Sequence, residues 1–132
     1  MGSFFTFHLF LLLLLTHFTS YTFSLCNQHD SSALLQFKNS IPLNTSSQLY
    51  FSCSYFSFKT ESWKNGTDCC KWDGVMCDIV SGYVIGLDLS CNNLKGELHP
   101  NSTIFHLKHL QKLNLAFNNI YEIGRASCRE RV

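Results

Sequence analysis

Seven cysteines carry most of the reactive chemistry in this sequence. Three of them fall in "DCCKWDGVMC", Asp68 to Cys77. Thiols at such density either oxidise to disulfides or hold a metal. Cys69 and Cys70 are neighbours. Adjacent Cα atoms lie about 3.8 Å apart, below the roughly 4.4–6.8 Å of a relaxed disulfide, so each looks elsewhere for a partner. A metal could take both, together with Cys77 and a histidine. However, His29, His99, His106 and His109 do not follow the paired-ligand spacings of structural zinc, and no metal is expected. The sequence has no Ser/His/Asp set, nucleophile elbow, phosphate loop or metal spacing. Asp88 and His99 are isolated, as solvated polar residues usually are. The expectation is a chain that is not an enzyme and has no cofactor.

The compartment decides between thiol and disulfide, and the N-terminus speaks to the compartment. Leu9 to Leu15 is an unbroken apolar run, short of the about 20 residues a membrane span needs. It fits the core of a secretory signal. Small residues at Thr22 and Ser24 place cleavage between Ser24 and Leu25, which makes residues 1–24 a signal peptide. The stretch before the run has no Lys or Arg, and the rival readings are a buried core helix or a retained anchor. Secretion makes disulfides the default. Net charge is +1 without a basic patch, so nucleic acid is not expected as a partner. No second run reaches membrane length. Sequons at Asn44, Asn65 and Asn101 are candidate glycosylation sites.

The elements that position these residues follow from periodicity. "HDSSALLQFKNSI" reads as a short helix capped by Asp30 or Ser31. Ala33, Leu34, Phe37 and Ile41 lie on one face, and Pro42 ends it. The aromatic, serine-rich stretch from Asn44 to Lys64 gives no firm strand. Trp63 and Trp72 flank the double cysteine and read as small-domain core. Beyond them the pattern changes. Leu87, Leu89, Asn92 and Leu94 recur as Leu113, Leu115, Asn118 and Ile120, each 26 residues on, with Leu110 opening the second copy. This is the L-x-x-L-x-L-x-x-N-x-L repeat. In Leu-x-Leu the backbone is extended and both leucines point to one face. Asn92 and Asn118 fall where the chain turns, and their amides can satisfy backbone groups that no ladder reaches. Gly86, Asp88, Ser90, Lys112, Asn114 and Ala116 face outward as a candidate concave surface over parallel strands.

"ALLQFKNS", "SWKNGTDCCKWDGVMC" and "GYVIGLDLSCNNLKGEL" resemble the N-terminal cap and first repeats of plant leucine-rich-repeat receptor-like proteins, in particular the Cf-type disease-resistance group. The resemblance covers about Leu25 to Ile120. It implies an α/β fold, the start of a leucine-rich-repeat solenoid. A disulfide-bonded cap with a short helix would occupy residues 25–82, and two repeats with parallel strands residues 83–121. It also implies the bonds Cys26–Cys69 and Cys70–Cys77. Parity then favours Cys53–Cys91. The Leu94-Lys95-Gly96-Glu97-Leu98 end matches the plant subtype L-x-G-x-I/L, while Leu98-His99-Pro100 departs from its usual I/L-P order.

The functional implication is the N-terminal part of a cell-surface glycoprotein in plant defence. It would bind a peptide, protein or pathogen-derived ligand through further repeats, work with a co-receptor kinase, and sit at the plasma membrane through a span this chain lacks. The fragment itself would be extracellular. The alternatives are a secreted inhibitor of the polygalacturonase-inhibiting type and the ectodomain of a leucine-rich-repeat receptor kinase. Residues 122–132 do not fit. The leucine pattern stops, Cys128 makes the cysteine count odd, and "EIGRASCRERV" resembles a translated sequencing-adapter read-through. The expectation is a non-native tail, its rival a natural truncated isoform.

Overall fold

Helix α1 spans Gly2–Phe18 and holds the apolar run. The computed structural model describes residues 2–18, 25–43, 53 and 58–122. The expected cleavage site, the Asn44 sequon and residues 123–132 with Cys128 lie outside them. Among the described residues no helix is long and apolar enough to cross a membrane.

Helix α2 spans Gln28–Ser40. It starts earlier than the pattern suggested, because Asn27 is the cap. The Asn27 side chain accepts hydrogen bonds from the backbone N–H of His29 and Asp30, two of the donors that a first helical turn leaves free. Asp30 is therefore inside the first turn rather than capping it. It is buried, and its Oδ2 accepts the Val84 N–H at 2.9 Å, which pins the helix to the first repeat strand. Ala33, Leu34, Phe37 and Ile41 are all buried. They meet Trp63, Trp72, Val84, Leu87, Leu89, Leu94, Ile104 and Leu107 in one core.

Among the described residues five strands follow: β1 (Val75–Cys77), β2 (Val84–Asp88), β3 (Lys95–Leu98), β4 (Lys112–Asn114) and β5 (Asn119–Glu122). One sheet has the order β1-β2-β4. β2 and β4 are parallel, with Leu87 opposite Leu113 and Asp88 opposite Asn114, the register the 26-residue repeat requires. β1 runs antiparallel along the other side of β2, with Met76 opposite Gly86.

The second sheet pairs β3 with β5 in parallel, and there the repeat offset fails. Gly96, not Leu94, lies opposite Ile120. The turns explain the two-residue slip. Cys91 (φ 55°) and Phe117 (φ 57°) are equivalent left-handed residues. The first repeat adds a second one at Asn93 (φ 56°), whereas its counterpart Asn119 is already extended in β5 and donates to Leu94 O at 2.9 Å. The shift is even, so side chains keep their faces.

Candidate functional site

Two features could do chemistry or binding: the cysteine clasp of the cap and the outward face of the first sheet. In the clasp, Cys26 is bonded to Cys69 with Cα atoms 5.3 Å apart, and Cys70 to Cys77 at 5.4 Å. Cys53 is bonded to Cys91 at 5.8 Å. The adjacent cysteines thus diverge, one holding Cys26 just ahead of the Asn27 cap of α2, the other the end of β1. The sulfur atoms of Cys26, Cys69, Cys70 and Cys77 lie within 4.8 Å of one another, a spacing thiolates around a soft metal would also adopt. Here both pairs are oxidised, so these sulfurs do not offer the thiolates a metal needs.

Asp68 organises the clasp. Its Oδ1 accepts the backbone N–H of Cys26 at 3.0 Å and of Cys70 at 3.1 Å, so both arms are held by hydrogen bonds as well as by sulfur. Beside it the two tryptophan rings stack, 5.7 Å between centroids. Both indole N–H groups are satisfied, Trp63 by Asp73 O and Trp72 by Thr67 Oγ1. A buried tryptophan without such partners would be costly. Gly74 closes the turn into β1 with φ 79°, and a Cβ there would collide with the Asp88 backbone oxygen.

The outward face is only partly as the leucine pattern suggested. Asp88, Lys112, Asn114 and Ala116 are exposed and Ser90 is half-buried. Gly86 is buried, a correction. β1 carries Met76 beside it, and a Cβ on Gly86 would lie 3.2 Å from Met76 Cβ. Met76, Gly86, Asp88, Lys112 and Asn114 line a shallow hollow of about 480 Å³. At its rim Lys59 Nζ pairs with Asp88 Oδ1 at 3.2 Å and lies 3.5 Å from Ser90 Oγ. Partial burial alone would raise the Asp88 carboxyl. The Ser90 hydroxyl and N–H and the Lys59 ammonium outweigh it, and the net is a carboxyl held below its ordinary 3.8.

The repeat core is uneven. Leu87, Leu89 and Leu94 are buried, and Leu110, Leu115 and Ile120 are half-buried against them. Leu113 is 40 % exposed, because no described residue stacks on the far side of β4. The two asparagines work differently. Asn118 accepts the Leu94 N–H at 2.9 Å and donates to Leu89 O at 2.7 Å and Leu115 O at 3.0 Å, which joins one repeat to the next. Asn92, fully buried, exchanges hydrogen bonds with Thr60 and joins the first repeat to the cap. Asn65 and Asn101 are exposed.

Three site residues were not singled out from sequence. Asn27 and Asp68 had a local signal, an Asx residue just before a helical turn. Lys59 had none, since Asp88 is distant in sequence.

A short helix and a disulfide clasp sealing one end of a parallel repeat stack define the N-terminal cap of a leucine-rich-repeat solenoid. Residues 27–78 match the leucine rich repeat N-terminal domain. Over 109 residues, 77% of this chain, the sequence is 47% identical to Receptor-like protein 6 of Arabidopsis thaliana, of which it covers 11%. Over 101 residues, 72% of this chain, it is 44% identical to Receptor-like protein Cf-9 of Solanum pimpinellifolium, of which it covers 12%. Among solved structures it is similar to the leucine-rich-repeat ectodomain of the Arabidopsis receptor kinase HAESA, in complex with an N-terminally extended IDA peptide hormone ligand. That match has a TM-score of 0.50 and 28% identity over 69% of this chain and 13% of that one. Residues 27–78 are thus a leucine-rich-repeat N-terminal domain, and the chain is similar to the N-terminal part of plant receptor-like proteins. It spans about a tenth of the length of the relatives it matches.

Proposed function

We propose that this chain is the N-terminal cap and first repeats of a cell-surface receptor that perceives a peptide, protein or pathogen-derived ligand in plant defence. Residues 1–24 serve as a signal peptide, residues 25–82 as the cap and residues 83–121 as two repeats. Ligand contact is made mainly by further repeats, and a co-receptor kinase carries the signal onward. The observation that carries this reading is the capped parallel sheet, β2 beside β4, in a chain whose relatives are receptor-like proteins. The cap's work is mechanical. It covers the apolar end of the leucine stack, which would otherwise face water.

A second reading, the ectodomain of a receptor kinase, is supported by the HAESA likeness, because both classes share this start. The test is to express the intact gene with a C-terminal fluorescent tag in leaf cells, and to disrupt it in the plant. Expected are label at the cell surface and loss of the defence response to one pathogen extract among a panel. Label confined to the cytosol, or unchanged responses throughout, would reject the receptor reading. A cytoplasmic kinase domain in the intact product would select the second.

A further inference from the structure

We propose that the double-cysteine clasp is a thiol-exchange site: it takes a small-molecule thiol at Cys77 and passes the exchange through Cys70 to Cys26. As structural staples alone, the two bonds of the clasp would react independently of each other. Their placement couples them.

Access differs between the two bonds. Cys70 and Cys77 are half-buried and line one hollow of about 520 Å³ together with Lys71, Met76 and Ile79. Cys69 is fully buried in the core. Cys26 is half-buried and lines a separate hollow, so direct attack there is the rival route. The four sulfurs nevertheless lie within 4.8 Å of one another, and their closeness does not depend on the sulfur bonds alone. Asp68 Oδ1 accepts the N–H of Cys26 at 3.0 Å and of Cys70 at 3.1 Å. The Asn27 N–H donates to Gly82 O at 2.9 Å. The pairing of β1 with β2 sets Cys77 opposite Val84. The frame that presents Cys70 to Cys26 therefore outlasts the opening of Cys70–Cys77.

The attacking species in such exchange is a thiolate. A small-molecule thiolate bonds to Cys77 Sγ, the Cys70–Cys77 bond breaks, and Cys70 leaves as a thiolate with the electron pair. Its neighbour Cys69 is a poor partner, since adjacent Cα atoms lie about 3.8 Å apart and a relaxed disulfide needs roughly 4.4–6.8 Å. Cys70 attacks Cys26 Sγ instead. The Cys26–Cys70 bond forms, the Cys26–Cys69 bond breaks, and Cys69 leaves with that electron pair and takes up a proton. The balance is redox-neutral: one thiol is taken up at Cys77 and one is released at Cys69. Helix α2 stays tethered, now through Cys70. A thiolate already held beside Cys26 outruns one that must arrive from solution.

The test uses the disulfide-bonded full chain carrying Cys128→Ser, with reduced glutathione as the probe. Samples are quenched in acid over time, free thiols are alkylated, and the bonds are read by peptide mass mapping. Expected is an intermediate with glutathione on Cys77, Cys26 bonded to Cys70, and Cys69 free. Loss of Cys26–Cys69 should be at least roughly tenfold slower in Cys70→Ser/Cys77→Ser, which removes the relay and leaves only direct attack at Cys26. The direction discriminates, because that variant weakens the cap, and weakening alone would speed the loss through local opening. Cys53–Cys91, outside the clasp, should keep its rate. Cys77→Ser alone leaves Cys70 as a thiol and should form Cys26–Cys70 with no glutathione added. An equal or faster loss of Cys26–Cys69 in the double variant would overturn the proposal. So would a Cys77→Ser chain in which Cys26 is bonded only to Cys69.

Discussion

Gly74 has two independent reasons to be glycine, and they compound. Its φ of 79° lies in the left-handed region, and an added Cβ would sit 2.3 Å from the Asp88 backbone oxygen. That oxygen belongs to β2, whose N–H at Asp88 donates to Gly74 O at 2.8 Å, so neither side can yield without breaking the sheet edge. Gly74→Ala should cost about 2–4 kcal/mol, combining backbone strain with a clash against main chain. Urea denaturation under oxidising conditions checks it, and a change below about 1 kcal/mol would contradict this account. Asp88 gives a milder prediction. Its carboxyl is held below 3.8, so its folded value is depressed. The associated stability is present above the unfolded value and is lost as pH falls through the folded one. The pair with Lys59 should thus persist from neutral pH to below 3.8, with a stability contribution under about 1 kcal/mol because the carboxylate is 55% exposed. Carbon NMR of the side chain should give a midpoint below 3.8 in the intact chain and a higher one in Ser90→Ala. A midpoint above 3.8 in the intact chain would refute this account of Asp88.

Between strands, asparagine does what leucine cannot. Asn118 satisfies one N–H and two carbonyls where the turn leaves the ladder. Asn118→Ala should therefore cost about 2 kcal/mol, the scale of leaving partly buried backbone groups unpaired. Amide exchange at Leu94 should accelerate, while Val84, held by Asp30, should not change. Equal acceleration at both would mean global loosening rather than a lost joint between repeats. The elements also show how far sequence could reach. The β2–β4 register was legible, because leucine spacing alone forces extended backbone with buried alternate residues. The core face of α2 was legible for the same reason. The two-residue slip between β3 and β5 was not, since it depends on whether Asn93 and Asn119 turn or extend, and the same residue type does both. Nor was the burial of Gly86, which comes from β1 folding back and laying Met76 beside it. Outwardness in a repeat pattern describes one strand and is silent about its neighbour.

At the scale of the whole molecule, the described residues differ in cover from the cap side of the stack to the other. One end holds α2, the tryptophan pair and the double-cysteine clasp. On the side away from the cap, the described residues Leu113, Phe117 and Tyr121 of the second repeat are 40%, 47% and 53% exposed. Order should therefore be imposed from the cap, and the disulfides rank by how much chain each restrains. Cys26–Cys69 closes a separation of 43 residues and Cys70–Cys77 one of 7. Loop-entropy reasoning gives about 4 kcal/mol for the first and about 2.5 kcal/mol for the second. A small domain has roughly 5–15 kcal/mol of net stability in all. Replacing Cys70 and Cys77 by serine should leave a folded but weakened cap. Replacing Cys26 and Cys69 should release α2 and with it the cover on Val84, Leu87 and Leu89, so the repeats lose order too. Denaturant midpoints of the two double variants, with tryptophan fluorescence as the probe, test the ranking. Fluorescence reports Trp63 and Trp72 in the cap, and amide exchange at Leu87 and Leu89 reports the repeats. If the short-loop variant proved the less stable, or if Leu87 and Leu89 stayed protected after α2 came free, the cap would not be what holds this end of the solenoid together.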